Sequence, residues 1–178
     1  VPLVIKPPAA VPTRPGLREH LTELIDLPAT LYDLLGLQPG YTHFGRSLRD
    51  SLAGSEAEIH EAVFAEVGGR VNEPGFFNKE VDALPPDHFY ARQGRGARAH
   101  HQAGSHAVMC RTRTHKYIRR PYTGHHELFD LTADPHEVHN LHGTPAAAAI
   151  EPHLAERLLD FFLRTADVLP HETDSRHI

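Results

Sequence analysis

Three arginines and three histidines crowd one stretch of the chain: Arg92, Arg95 and Arg98, then His100, His101 and His106. Guanidinium groups match the oxygens of sulfate or phosphate with paired hydrogen bonds, and imidazoles can join them on an anion or hold a metal. These six are the candidate substrate-binding residues. The competing reading of the same residues is a flexible basic loop with solvated histidines. Their spacing, and that of His125-His126, matches no zinc pattern such as H-E-x-x-H or C-x-x-C, and neighbours on a strand point to opposite faces. No metal ligand is therefore assigned.

The remaining chemistry is sparse. Cys110 is the single thiol, in Met109-Cys110-Arg111-Thr112-Arg113. Nearby arginines could lower its pKa, but it stands mid-strand in an alternating pattern, where free Cys is usually a buried small hydrophobe. Asp130, Asp134 and Glu137 could supply paired carboxylates, yet Asp134-Pro135 just after a strand reads first as turn chemistry. Gly94-Arg95-Gly96 lacks the strand before it and the helix after it that a phosphate loop needs, and no nucleophile elbow is present. No catalytic residue is assigned.

The elements that must position these residues follow from periodicity. Val1-Pro2-Leu3-Val4-Ile5 reads as a buried strand with no Met before it, so the chain is expected to be a piece of something larger. A proline-rich connection follows. Leu27, Leu31, Leu34 and Leu35 form one helical face, with Asp26 as a cap, Pro28 near the start and Gly36 at the stop. Ser47 to Leu52 predicts a further turn before Gly54. Ala62 to Val67 is a strand, and Arg70 to Ser105 is read as a long functional or disordered loop. Ala107 to Thr112, Lys116 to Arg120 and Glu127 to Leu131 predict a meander joined by the Ala62 strand. A final helix carries Leu154, Leu158, Phe161, Phe162 and Thr165 on one face, with either a kink at Pro152 or two short helices. The fold class is α+β: an antiparallel sheet of about four strands packed by a C-terminal helix. Arg111 and Asp130, on strands of this sheet, could form a partly buried ion pair that fixes its register, the alternative being two solvated charges.

Composition narrows the partners. At 178 residues, 40% hydrophobic, the chain can bury a core without disulfides. A formal charge of -5 gives no basic field for a nucleic acid. No run approaches the roughly 18 apolar residues of a bilayer span. The 16 histidines are several times the usual share, which by itself distinguishes neither metal binding nor pH sensing.

Several segments in order resemble the C-terminal part of the sulfatase family, in the alkaline phosphatase superfamily. Val1-Pro2-Leu3-Val4-Ile5 is similar to its V-P-L-I-I strand. Ile25-Asp26-Leu27-Pro28-Ala29-Thr30-Leu31 is similar to V-D-L-x-P-T-L, with Pro and Ala exchanged. Gly45-Arg46-Ser47-Leu48 matches G-R-S-L, Phe64-Ala65-Glu66 with Gly68-Gly69 resembles F-x-E-x-G-G, and Arg111-Thr112 with Lys116-Tyr117-Ile118 resembles R-T-x-x-x-K-Y-I. Glu127-Leu128-Phe129-Asp130-Leu131, Asp134-Pro135, Glu137 and Asn140-Leu141 resemble E-L-Y-D-L-x-x-D-P-x-E-x-x-N-L. Only the Arg70 to Ser105 stretch lies outside the likeness.

The resemblance implies a sulfuric ester hydrolase whose reactive centre lies elsewhere in a parent protein. Residues 1–54 would be the tail of its α/β catalytic domain, including a leftover strand and helix. Residues 55–178 would be the C-terminal subdomain, with the 70–105 loop selecting substrate. Calcium and formylglycine are implied for the parent and none for this chain, because Cys110 lacks the C/S-x-P/A-x-R offsets. The chain alone is expected to be inactive. Implied partners are the N-terminal catalytic domain and, through the parent, a sulfated small molecule or glycan. Self-association through the Val1 to Ile5 edge is a further expectation. The alternatives are part of a phosphodiesterase or phosphonate hydrolase of the same superfamily, and a stand-alone anion- or metal-binding module.

Overall fold

The computed structural model describes residues 2–68, 83–99 and 105–166. Two compact units divide the chain: Val1–Val63 with Asp160–Ile178, and Phe64–Leu159. Among the described residues no helix is long and apolar enough to cross a membrane.

In the first unit, helix α1 (Asp26–Leu35) forms where leucines recur at helical spacing, and it stops at Gly36, whose φ of 65° suits glycine. The N–H of Gly36 donates to the Asp33 carbonyl and that of Leu37 to the Tyr32 carbonyl. The helix faces the opposite way from the simplest expectation. Asp26 and Thr30 are buried, while Leu31 and Leu35 are 59% and 68% exposed. A polar side can be turned inward only if its atoms find partners, and residues 45–48 supply them. Asp26 is also not the expected cap: Ile25 holds that position without a side-chain bond, and the Asp26 carboxylate accepts the N–H of Glu23 instead. Helix α2 (Arg49–Ala53) is the short turn foreseen before Gly54, which closes it at φ 105°.

The second unit is built on four strands, β1 (Val63–Val67), β2 (Ala107–Arg111), β3 (His115–Arg119) and β4 (Glu127–Asp130), in the spatial order of the sequence. Short turns make such a meander antiparallel, and the register pairs Cys110 with Tyr117 and Tyr117 with Leu128. Directly paired residues share a face, so these three form one row across the sheet, and all are almost fully buried. Helix α4 (Glu151–Thr165) covers that row: Leu154 and Leu158 are buried, and the charges of Glu151 and Arg157 act on Tyr117 and Cys110. Pro152 lies in the first turn of α4, where its missing N–H costs nothing. No kink results; a single 3-10 turn (Ala147–Ala149) precedes the helix. This is the expected α+β architecture.

Three expectations need correction. The strand foreseen at Val1 to Ile5 does not form: the described residues 2–5 pair with nothing as a strand, and Val4 is 92% exposed. Apolar character creates a demand for burial, but a strand exists only through hydrogen bonds to a neighbour. The Arg70 to Ser105 loop contains helix α3 (Phe89–Ala99). Its alanines and arginines favour a helix, but two glycines and three arginines interrupt any run of large apolar residues. Arg111 and Asp130 do not pair. Asp130 stands opposite His115, Arg111 stands opposite Lys116, and β3 separates the two strands.

Candidate functional site

Arg92 and Arg95 lie three residues apart on α3, one helical step that places them on the same side. Both are exposed and, with Pro86 and Asp87, line an open surface hollow. The helix is entered through Pro85-Pro86, with the N–H of Arg92 donating to the His88 carbonyl at 3.1 Å. Arg95 turns back and donates through its guanidinium to the Pro86 carbonyl. Asp87 places a carboxylate beside the two cations. Arg98 continues the three-residue step along the backbone of α3. His100 and His101 lie outside the described residues.

His106 stands elsewhere, at the start of β2. Its Nε2 is 2.6 Å from Glu66 Oε1 on β1, and its ring centroid is 6.0 Å from that of Tyr122 in the β3–β4 turn. At the same end of the sheet, Arg120 donates through Nε to Glu127 at 3.0 Å and through Nη1 to the Ser105 carbonyl at 3.3 Å. The second candidate group is therefore a rim of one sheet end: Glu66, His106, Arg120, Tyr122 and Glu127. A half-exposed aromatic ring beside a His–Glu pair and an Arg can stack on and hydrogen-bond a polar ring. Sequence reasoning assigned only His106 of these. The others come from β1, the β3–β4 turn and β4, and strand register brings them together with His106.

The residues carrying the sulfatase resemblance do something different: they hold backbone in place. Asp26 Oδ2 accepts the Glu23 N–H and Oδ1 the Arg46 N–H, each at 2.8 Å, and His60 Nε2 sits 3.0 Å from both oxygens. Thr30 donates its hydroxyl to the Asp26 carbonyl at 2.6 Å and accepts the Leu48 N–H at 2.9 Å. Ser47 donates to Asp33 Oδ2, and Arg49 to Oδ1. Those two donors hold the Asp33 carboxyl below its usual pKa. Gly45 passes so close to α1 that a Cβ there would lie 2.1 Å from the Ile25 carbonyl oxygen. Gly45-Arg46-Ser47-Leu48 is thus a clasp on the polar side of α1.

A second brace follows β4. Asp130 Oδ1 accepts the N–H groups of Thr132 and Ala133, which lower its pKa, and Asp134 accepts the His139 N–H at 2.7 Å. Lys116 pairs with Glu137. Asn140 Oδ1 accepts the N–H of Leu128 and of His142, while its Nδ2 donates to the His126 carbonyl. Asp130 and Asp134 thus accept backbone N–H groups of the turn, while Glu137 pairs with Lys116. His142 Nδ1 is 2.9 Å from Glu151, and the rings of His126 and His142 meet edge-on at 5.1 Å. Burial lowers the His126 pKa, with Arg119 and His142 adding to it.

Cys110 is fully buried, and desolvation pushes its pKa up to about 11 despite the charge of Arg157. Such a thiol is no nucleophile. Among the described residues no group of three or more His, Cys, Asp or Glu side chains is placed to hold a metal ion.

No family model matches the sequence, and no curated protein does. Solved structures do match. A 2-O GAG sulfatase is similar at 24% identity and a TM-score of 0.56, over 80% of this chain and 25% of that one. The phosphonate monoester hydrolase of Agrobacterium radiobacter matches at 23% identity and a TM-score of 0.56, over 87% of this chain and 30% of its own. That of Silicibacter pomeroyi matches at 22% identity and a TM-score of 0.57, over 90% and 30%. The chain thus spans about a quarter to three-tenths of the length of these neighbours, and its fold is the one that this part of a sulfatase or phosphonate monoester hydrolase adopts.

Proposed function

We propose that the chain is the C-terminal portion of a sulfuric ester hydrolase of the alkaline phosphatase superfamily, serving structure and substrate choice rather than bond cleavage. The observation that carries this reading is the fold likeness over four-fifths or more of the chain to only a quarter or so of the neighbouring enzymes. Residues 1–54 would then complete an α/β catalytic domain and residues 55–178 form the subdomain beside it. Ester cleavage needs a strong nucleophile and concentrated positive charge at the developing oxyanion. The described residues assemble neither, and the one thiol is buried. The nucleophile, and the calcium and formylglycine that the sulfatase resemblance implies, belong to the parent protein on this reading. The α3 hollow with Arg92 and Arg95, the adjacent Arg98, His100 and His101, and the His106 rim would meet the substrate's anionic or polar groups.

The second reading is a phosphonate or phosphodiester hydrolase of the same architecture. Two of the structural neighbours are phosphonate monoester hydrolases, and they align with a slightly larger share of the chain than the 2-O GAG sulfatase does. The test is to assay the intact parent on an aryl sulfate and on an aryl phosphonate monoester, with the isolated chain in parallel. Turnover of the sulfate by the parent alone supports the first reading, and preference for the phosphonate supports the second. Turnover by the isolated chain overturns both.

A further inference from the structure

The turn between β3 and β4 is closed by a side chain rather than by the strand ladder. Ile118 and Glu127 are the last pair of the register before the turn, and β3 ends at Arg119. One residue on, the Arg120 N–H donates to His126 Nδ1 at 3.1 Å, so the imidazole stands where a strand carbonyl would otherwise accept. Two backbone bonds complete the turn: the Gly124 N–H donates to the Arg120 carbonyl and the His126 N–H to the Gly124 carbonyl, each at 3.0 Å. A backbone N–H can only donate. Nδ1 therefore accepts with its lone pair, and the ring's one proton sits on Nε2. A second proton has to enter at Nδ1, against the Arg120 N–H. Two donors then face each other, and the turn loses its closing bond.

The surroundings give a charged ring little compensation. Arg119 on β3, His125 in the turn and His142 in the loop before α4 oppose the charge, and the Tyr117 ring lies edge-on at 6.5 Å. Glu151 on α4 favours it, but its Oε2 is already 2.9 Å from His142 Nδ1. Burial is the largest opposing effect, and together these hold the His126 pKa below the ordinary 6.5.

We propose that His126 is an acid-released latch on the 120–126 turn, closing it at neutral pH and freeing it once the ring takes a proton on Nδ1. That turn carries two residues of the sheet-end rim: Arg120, which donates to Glu127 and to the Ser105 carbonyl, and Tyr122, whose ring lies 6.0 Å from that of His106. Acid thus dismantles the rim through its support. This regulation of the rim rests on the ligand-facing role given to it under the proposed function; the latch itself does not. The sign follows from the two forms of the turn. The open form leaves the ring near its ordinary 6.5 and takes up the proton first, so closure is complete above about pH 6.5 and is lost as pH falls toward the lower closed-form value.

The test is an NMR titration of the ¹⁵N-labelled 178-residue chain between pH 7.5 and pH 5.5, with the variants His126→Asn and His136→Gln. Asn places an amide oxygen near the position of Nδ1 and does not titrate, and His136 is an exposed histidine beyond β4. At the higher pH a through-hydrogen-bond coupling should join the Arg120 amide nitrogen to an unprotonated His126 Nδ1. At the lower pH that coupling should vanish. Protection of the Arg120 amide against hydrogen exchange should then fall about tenfold further than that of Tyr117 in β3, as expected for the loss of one hydrogen bond. His136→Gln should behave as the parent chain, and His126→Asn should keep the Arg120 amide protected throughout. A ring protonated on Nδ1 at the higher pH, or an Arg120 amide whose protection falls only in step with Tyr117, overturns the latch. So does an acid response that survives unchanged in His126→Asn; if that variant does not fold, the parent chain's tautomer and coupling decide alone. Each of these failures leaves the proposed function standing, since the sulfate and phosphonate assays test it separately.

Discussion

His60 Nε2 lies 3.0 Å from each carboxylate oxygen of Asp26, 34 residues earlier in the chain, and neither side chain is open to solvent. With the Glu23 and Arg46 N–H groups, one buried carboxylate gathers three donors. Asp26→Ala should therefore leave all three unsatisfied and cost on the order of 3 kcal/mol or more. Thr30→Val, which keeps the shape but strips the acceptor from the Leu48 N–H, should cost about 1–3 kcal/mol. Chemical denaturation of the two variants checks both, and a loss below half a kilocalorie for Asp26→Ala would refute the clasp.

Gly45 offers a sharper steric test. A methyl group there would meet the Ile25 carbonyl oxygen at 2.1 Å, a backbone atom that no side-chain rotation can move aside. Gly45→Ala should destabilise by about 2 kcal/mol or more. Gly40→Ala, with nothing within 4 Å of the added carbon, should stay within about 0.5 kcal/mol. Equal Tm values for the two variants would contradict the geometry.

Cys110 should be chemically silent. With its pKa raised to about 11, the thiolate fraction at neutral pH falls roughly 300-fold below that of a free cysteine of pKa about 8.5, and burial adds a steric barrier. A disulfide-exchange reagent at pH 7 should label the native chain only after denaturant is added. Prompt labelling of the folded chain would show that the α4–sheet contact opens.

His126 supplies a pH dependence with a definite sign. Burial first, then Arg119 and His142, holds its folded-state pKa below the ordinary 6.5. The unfolded chain therefore takes up the proton first as pH drops. The neutral ring's contribution is intact above about pH 6.5 and is lost as pH falls from there toward the lower folded value. The groups around it are Arg119, Tyr117, His125, His142 and Glu151. The drop in Tm between pH 7.5 and pH 5.5 should be smaller in His126→Gln than in the parent chain; an unchanged drop would assign the effect to other histidines.

Much of the fold was legible in the residue order, for reasons that differ by element. The meander from Ala107 to Asp130 announced itself through alternation and turn-length gaps, and register then followed from short loops. For α1, the leucine spacing located the helix correctly and its orientation wrongly, because periodicity reveals a stripe and not what the stripe meets. Helix α3 escaped notice since its period is carried by the arginines at 92, 95 and 98 rather than by large apolar residues, and two glycines interrupt it. The Asp26–His60 contact and the Glu66–His106 pair were invisible for a common reason: 34 and 40 residues separate the partners, and no local rule joins them. The resemblance motifs pointed to the right fold, and their polar residues brace turns and hold backbone N–H groups.

The clasp has a further consequence for motion. The amides of Arg46 and Leu48 belong to no helix or strand, yet each is tied to a side chain of α1, Arg46 to Asp26 and Leu48 to Thr30. Ordinary loop amides surrender their hydrogens to heavy water quickly. These two can do so only when the whole first unit loosens, so a pair of slowly exchanging signals in an irregular segment would serve as a built-in gauge of that unit's opening.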